Sequence, residues 1–238
     1  MTEGDSPEVH HQHRDISGGW LRPTVFGMMD GLVSNFALIA GVAGAGSSVS
    51  VHAVSLAGLA GLVGGAFSMA AGEYVSVQSQ NESAQAEIEV ERHEIKINSG
   101  AEQAELAQMY VERGVEPALA GQVAAQLSRD PDQALTIHVR EELGMDPQGL
   151  PSPWTAAGSS LLSFSLGALI PLLPYLFGAR VLWLSAVLAL VALFVAGAAT
   201  ARFTERGWLF SGTRQLVLGG LAAAVTYGVG QAFGAVVG

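Results

Sequence analysis

The sequence predicts an all-α membrane protein: five transmembrane helices with a polar helical insert between the second and the third. Three observations predict it. Half of the 238 residues are apolar, only 13% are charged, and thirty are glycine, a balance common in spanning helices. Five apolar runs each reach about 20 residues or more, enough to cross roughly 30 Å of hydrocarbon. The charge is segregated: residues 73–148 hold twelve glutamates and three aspartates against five bases, a net −10 that equals the net charge of the whole chain.

Residues 1–22 are polar and read as a disordered tail. They do not read as a signal peptide, because the first apolar run starts only near Thr24. The tail carries His10, His11 and His13, a small cluster read as solvated. The first span is predicted at Thr24–Gly46, followed by a polar turn (Ser47, Ser48, Ser50, His52). The second runs from Val51 to about Val77, the third over Thr155–Phe177, the fourth over Val181–Ala201 and the fifth over Gly212–Val237. Domain limits follow: tail 1–22, spans one and two 23–77, acidic insert 78–150, spans three to five 151–238. With the N-terminus inside, ten of the eleven bases fall on the inner side and only Arg180 outside. The positive-inside rule then places the insert in the cytoplasm and the C-terminus outside.

The insert is predicted to be helical. No breaker ends span two, so its helix continues to about Ile97, where Asn98-Ser99-Gly100 stops it. A second helix covers roughly 101–113 before Gly114. A third starts at Pro117, a favoured first-turn position. Asp130-Pro131 opens a fourth, ending at Leu143-Gly144. The proline-rich stretch 146–153 is a stiff linker. Pro171 and Pro174 predict a kink in span three. Gly61 and Gly65 form a GxxxG in span two, suited to close helix packing within a subunit or across a dimer.

Several function classes are excluded. There is no cysteine, so disulfides, zinc fingers and iron–sulfur clusters are absent, and any metal must be held by oxygen, nitrogen or thioether. Net acidity offers no basic stripe to nucleic acid. No Walker A sequence supports ATP-driven pumping, so a gradient would have to supply the energy.

Two constellations carry chemistry. In the insert, Glu91 and Glu94 are three apart on one helix, and Glu102 and Glu105 repeat the spacing on the next. Such pairs face one way. His138 and Glu142, four apart, add ligands from the fourth helix, and Glu87 extends the first cluster by a turn. Crowded carboxylates raise each other's pKa, a cost that a divalent cation relieves. Carboxylates with one imidazole suit Fe²⁺, Mn²⁺ or Zn²⁺, and carboxylates alone would also suit Ca²⁺ or Mg²⁺. The plain alternative is a solvated acidic face. In the membrane, Asp30 lies about two turns into span one, where a carboxylate costs about 2.5–3.5 kcal/mol and usually faces a polar path. Antiparallel span two should set Met69 and Glu73 near its depth, and Ser34 and Asn35 further out.

These residues resemble the vacuolar iron transporter family, with the look of a bacterial-type member. The matching stretches are Asp30-Gly31 with Phe36-Ala37-Leu38-Ile39-Ala40-Gly41, then Ser68-Met69-Ala70-Ala71-Gly72-Glu73-Tyr74, and Pro171-Leu172-Leu173-Pro174-Tyr175. The resemblance covers nearly all of the chain after the tail. It implies a homodimer with an ion path between subunits, and export of cytosolic Fe²⁺, often Mn²⁺, in exchange for protons. Zn²⁺ and Co²⁺ stay open as substrates, no organic cofactor is expected, and the expected location is a bacterial inner membrane. Asp30 and Met69 match the path residues, and Glu91, Glu94, Glu102, Glu105 and Glu142 the insert glutamates. The chain departs from plant members at His138, where they have methionine, at Gly61, where they have a carboxylate, and at Glu73, where they have glycine. Glu73 is therefore the candidate for proton coupling. Two other classes could use such residues. A di-iron oxidase would use Glu-x-x-His pairs, but Val90 stands three residues before His93. A membrane-tethered metal sensor leaves intramembrane Asp30 without a task.

Overall fold

The computed structural model describes residues 19–46, 49–179, 181–203 and 206–237. The histidine tail, Arg14, Ser47, Ser48 and Arg180 lie outside the described residues. Among the described residues the chain is all helix and turn. The order is α1 (Leu21–Gly44), α2 (Val51–Ile97), α3 (Ser99–Glu112), α4 (Pro117–Leu127), α5 (Pro131–Glu142), α6 (Pro153–Leu176), α7 (Leu182–Thr200), a 3-10 turn (Ala201–Phe203) and α8 (Trp208–Val237). Five of these, α1, α2, α6, α7 and α8, are long and apolar enough to cross a membrane.

Local sequence explains the boundaries. Ser50 caps α2 by accepting from the Ala53 N–H at 3.1 Å. The helix then runs 47 residues, because neither glycine nor proline interrupts it between Gly72 and Asn98. At 1.5 Å per residue it is roughly 70 Å long, more than twice a ~30 Å hydrocarbon core, so its second half must leave the bilayer. α4, α5 and α6 each start with proline in the first turn behind a side-chain cap, from Glu116, Asp130 and Ser152. α8 begins at Trp208, four residues ahead of the predicted Gly212. α6 keeps its helical assignment through Pro171 and Pro174, so the lost backbone bonds do not end it.

α1 lies at the centre, packed against α6, α8, α2 and α7. Small residues permit this closeness. A Cβ on Gly31 would collide with the Phe164 carbonyl, and one on Gly167 with the Met28 carbonyl. Farther along, Gly230 and Gly234 of α8 meet the carbonyls of Gly41 and Ala45. The GxxxG of α2 is spent within the protomer, Gly61 against Leu38 and Asn35 and Gly65 against the Phe164 ring. Large apolar side chains such as Leu56, Phe67, Trp183 and Leu221 point outward, as lipid-facing residues do. Exposed Trp20, Trp154 and Trp208 stand at helix ends on the insert side and Trp183 at the opposite end, as in interfacial aromatic belts.

Beyond the apolar half of α2, the helices pair α2 with α5 and α3 with α4. The α2–α5 pair encloses a small core of Ile88, Ile95, Ala134, Leu135 and Val139.

Candidate metal centre and transmembrane cavity

Glu91 follows Ile88 by three residues and precedes Ile95 by four. That spacing puts its carboxylate on the apolar stripe of α2 that faces α5. On α5, His138 sits among Leu135, Val139 and Ala134 and is fully buried. Glu142, one turn on, follows it to the same face. α3 turns back at Asn98 and brings Glu102 to the group. Ligand atoms of Glu91, Glu102, His138 and Glu142 all lie within 4.8 Å of one another. His138 Nδ1 is 3.0 Å from Glu142 Oε1, 3.1 Å from Glu91 Oε1 and 3.7 Å from Glu102 Oε2. Nitrogen and oxygen ligands bind a small divalent ion at about 2.0–2.2 Å, so ligands sharing one ion stand roughly 3.0 Å apart in an octahedron and roughly 3.4 Å in a tetrahedron. The distances from His138 Nδ1 to Glu142 and Glu91 fall in that range, while the group as a whole, within 4.8 Å, is wider.

The electrostatics favour a cation. Burial, reinforced by the Glu142 charge, pushes the Glu91 carboxyl up to about 7. Glu102 is raised by burial and then by Glu105. Glu91 Oε1 and His138 Nε2 are buried without a hydrogen-bond partner, an expense that protein interiors rarely carry without a use.

The other predicted insert ligands take different places. Glu94 accepts from Asn98 Nδ2 at 2.6 Å, and its charge is felt at Glu102. Glu105 is exposed, and its charge is felt at Glu91 and Glu102. Both form a rim. Glu87, on the far side of Ile88, is exposed and outside the group. An acid within an apolar stripe was the sign that separates Glu91 from Glu87.

Within the spanning bundle, Asp30 and Met69 line one cavity of about 260 Å³ with Ser34, Asn35, Ser68 and Gly61. Asn35 is positioned by donating from Nδ2 to the Ala168 carbonyl at 2.6 Å, and its Oδ1 is left without a partner. Asp30 also borders a second cavity between α1 and α8, beside Arg22 and Gln215. Sequence reasoning did not single out Gln215, because nothing local ties α8 to α1. Glu73, one turn beyond Met69 toward the insert, is buried. Its Oε2 lacks a hydrogen-bond partner and lies 4.0 Å from Arg22 Nη1 at the start of α1.

A polytopic helical bundle with a polar cavity in its core, joined by a continuous helix to an acidic cluster, has the form of a transporter. The chain belongs to the VIT family, whose profile matches residues 21–231. It is 36% identical over 241 residues to vacuolar iron transporter 1 of Oryza sativa subsp. japonica, covering 98% of this chain and 94% of the relative. It is 38% identical over 228 residues to the vacuolar iron transporter of Acanthamoeba castellanii (strain ATCC 30010 / Neff), covering 92% and 81%. Members of the family are transporters, not enzymes, which sets aside the oxidase reading.

Proposed function

We propose that this protein exports cytosolic Fe²⁺, and also Mn²⁺, across its membrane in exchange for protons. The observation that carries the reading is the shared cavity of Asp30 and Met69, a carboxylate and a thioether from two spanning helices. Oxygen with a soft thioether suits a borderline divalent ion stripped of its water. The names of the relatives, which are iron transporters, support iron as the substrate; Zn²⁺ and Co²⁺ are competitors to be ranked.

In this reading the insert lies in the cytosol and gathers cations. Glu91, Glu102, His138 and Glu142 hold the ion, Glu94 and Glu105 attract it at the rim, and Glu87 adds only to the general field. The ion then enters past Glu73 to Asp30 and Met69. Glu73 is the proton-coupling candidate, as a buried carboxylate next to the path. Two copies pair in the membrane. Gly64 and Gly72 of α2 have nothing within 4 Å, which leaves room for a neighbouring helix. We place the N-terminus inside, the C-terminus outside and the protein in a bacterial inner membrane, whereas the relatives' names place them in vacuoles.

The test is uptake into proteoliposomes with an imposed pH gradient and competing metals. Fe²⁺ flux should follow the gradient, and Asp30→Ala should abolish it while metal binding by the full chain persists. Wild-type flux in Asp30→Ala would overturn the path, and flux indifferent to the gradient would overturn the exchange.

A further inference from the structure

One buried oxygen at the wall of the cavity shared by Asp30 and Met69 has no partner. It belongs to Asn35, which is 2% exposed and lines that cavity with Ser34, Ser68 and Gly61. The Asn35 amide nitrogen donates to the Ala168 carbonyl of α6 at 2.6 Å. A carbonyl only accepts, so the nitrogen must face α6 and Oδ1 is turned away from it. Oδ1 meets α2 at Gly61, where an added Cβ would stand 2.8 Å from it. It is buried there without a hydrogen bond, and folded interiors rarely leave such an atom unmet.

The other polar atoms of this wall accept more than they donate. Asp30 brings a carboxylate and Met69 a thioether. Ser34 spends its hydroxyl proton on the Asp30 carbonyl at 2.6 Å. Ser68 adjoins Met69, at the level of Asp30 and not of Asn35. Leu38, Gly65 and Phe164 complete the wall with apolar surface. A wall of acceptors suits a cation. Asn35 follows Asp30 by five residues, a rise of about 7.5 Å along α1. That sets its oxygen one step farther from the insert than Asp30 and Met69. Leu38 lies against the same glycine and ends the cavity on that side.

Building on transport through Asp30 and Met69, we propose that Asn35 Oδ1 is the next ligand of the ion: it takes the ion from that pair and passes it outward. Gly61 covers the oxygen in this conformation, so the ion reaches it as α1 and α2 part at their contact. The bond to Ala168 holds the amide in position for this. A neutral oxygen fits the task, because an ion on a path must be held well enough to enter a site and loosely enough to leave it.

The experiment measures Mn²⁺ flux into proteoliposomes of the full chain over a range of concentrations, so that KM and kcat separate. Asn35→Leu keeps the size and removes the oxygen, and should lower kcat/KM by about tenfold or more. Asn35→Asp keeps an oxygen and adds charge. KM and kcat should then fall together, because the ion is held too long. Both variants lose the donor to Ala168. The same kinetics in the two would mean that Asn35 only ties α1 to α6, and would overturn the proposal, as would wild-type kinetics in Asn35→Leu. Elution volume and Mn²⁺ binding by the insert report folding. If Asn35→Leu fails there, Gly61→Ala decides in its place: it leaves the bond to α6 and presses a methyl group against Oδ1, so unchanged flux would overturn the proposal. Asp30→Ala, run alongside, keeps the two levels apart. Flux lost there but unchanged in the Asn35 variants removes the second ligand alone, whereas wild-type flux in Asp30→Ala removes the path itself.

Discussion

At the scale of single residues, the acidic cluster is defined by where carboxylates meet apolar surface. Glu91 carries a proton more readily than an exposed glutamate because burial disfavours its charge. Its pKa is raised on folding, so its contribution to the stability of the metal-free insert is full below the unfolded value, near 4.5, and is lost as pH rises through about 7. Metal requires the ionised form, so affinity should move in the opposite sense. Titration calorimetry should show binding weakening as pH falls below about 7, and unchanged affinity between pH 7.5 and 5.5 would contradict the assignment. Glu91→Gln and His138→Ala should each weaken binding by at least about tenfold, while Glu87→Gln should change it little. An equal loss in Glu87→Gln would mean that the cluster acts only as a diffuse field.

At the scale of elements, α2 does two things at once, crossing the bilayer and supplying Glu91. Its continuity is a mechanical link between cavity and cluster. Gln80→Pro, at an exposed position between the two, removes a helix hydrogen bond and costs ~3 kcal/mol. The insert should still bind metal in that variant while proteoliposome flux falls; full flux would show that the link is dispensable. Close packing of α1 on α6 makes a second prediction. Gly167→Val would drive a side chain into the Met28 carbonyl and should cost about 1–3 kcal/mol. Gly158→Ala, facing open space on α6, should cost nothing in the same thermal unfolding series.

At the scale of the whole molecule, ligand binding and folding are linked. A metal at a hundred times its dissociation constant should stabilise the protein by about 2.7 kcal/mol. Thermal unfolding with Mn²⁺, then with chelator, should show the gain and its reversal, and the gain should vanish in Glu91→Gln with His138→Ala. A persistent gain there would place the ion elsewhere.

Sequence by itself determined the five spans, the run of α2 past the bilayer and the proline-marked starts of α4 and α5, because hydropathy, helix periodicity and capping are local; α6 begins at Pro153, which the sequence reading left in the linker. It also narrowed the charged residues to a few candidates by spacing. Only the tertiary structure decided which candidates meet. The turn at Asn98 and the docking of α5 on α2 bring Glu91, Glu102, His138 and Glu142 together and leave Glu94 and Glu105 at the edge. Likewise, Asp30 and Met69 share a cavity, while Glu73 reaches toward Arg22. These outcomes depend on the rotation and depth at which helices far apart in sequence pack, and small residues on several helices set those together. Spacing along one helix fixes which way its own side chains point, but not what they point at.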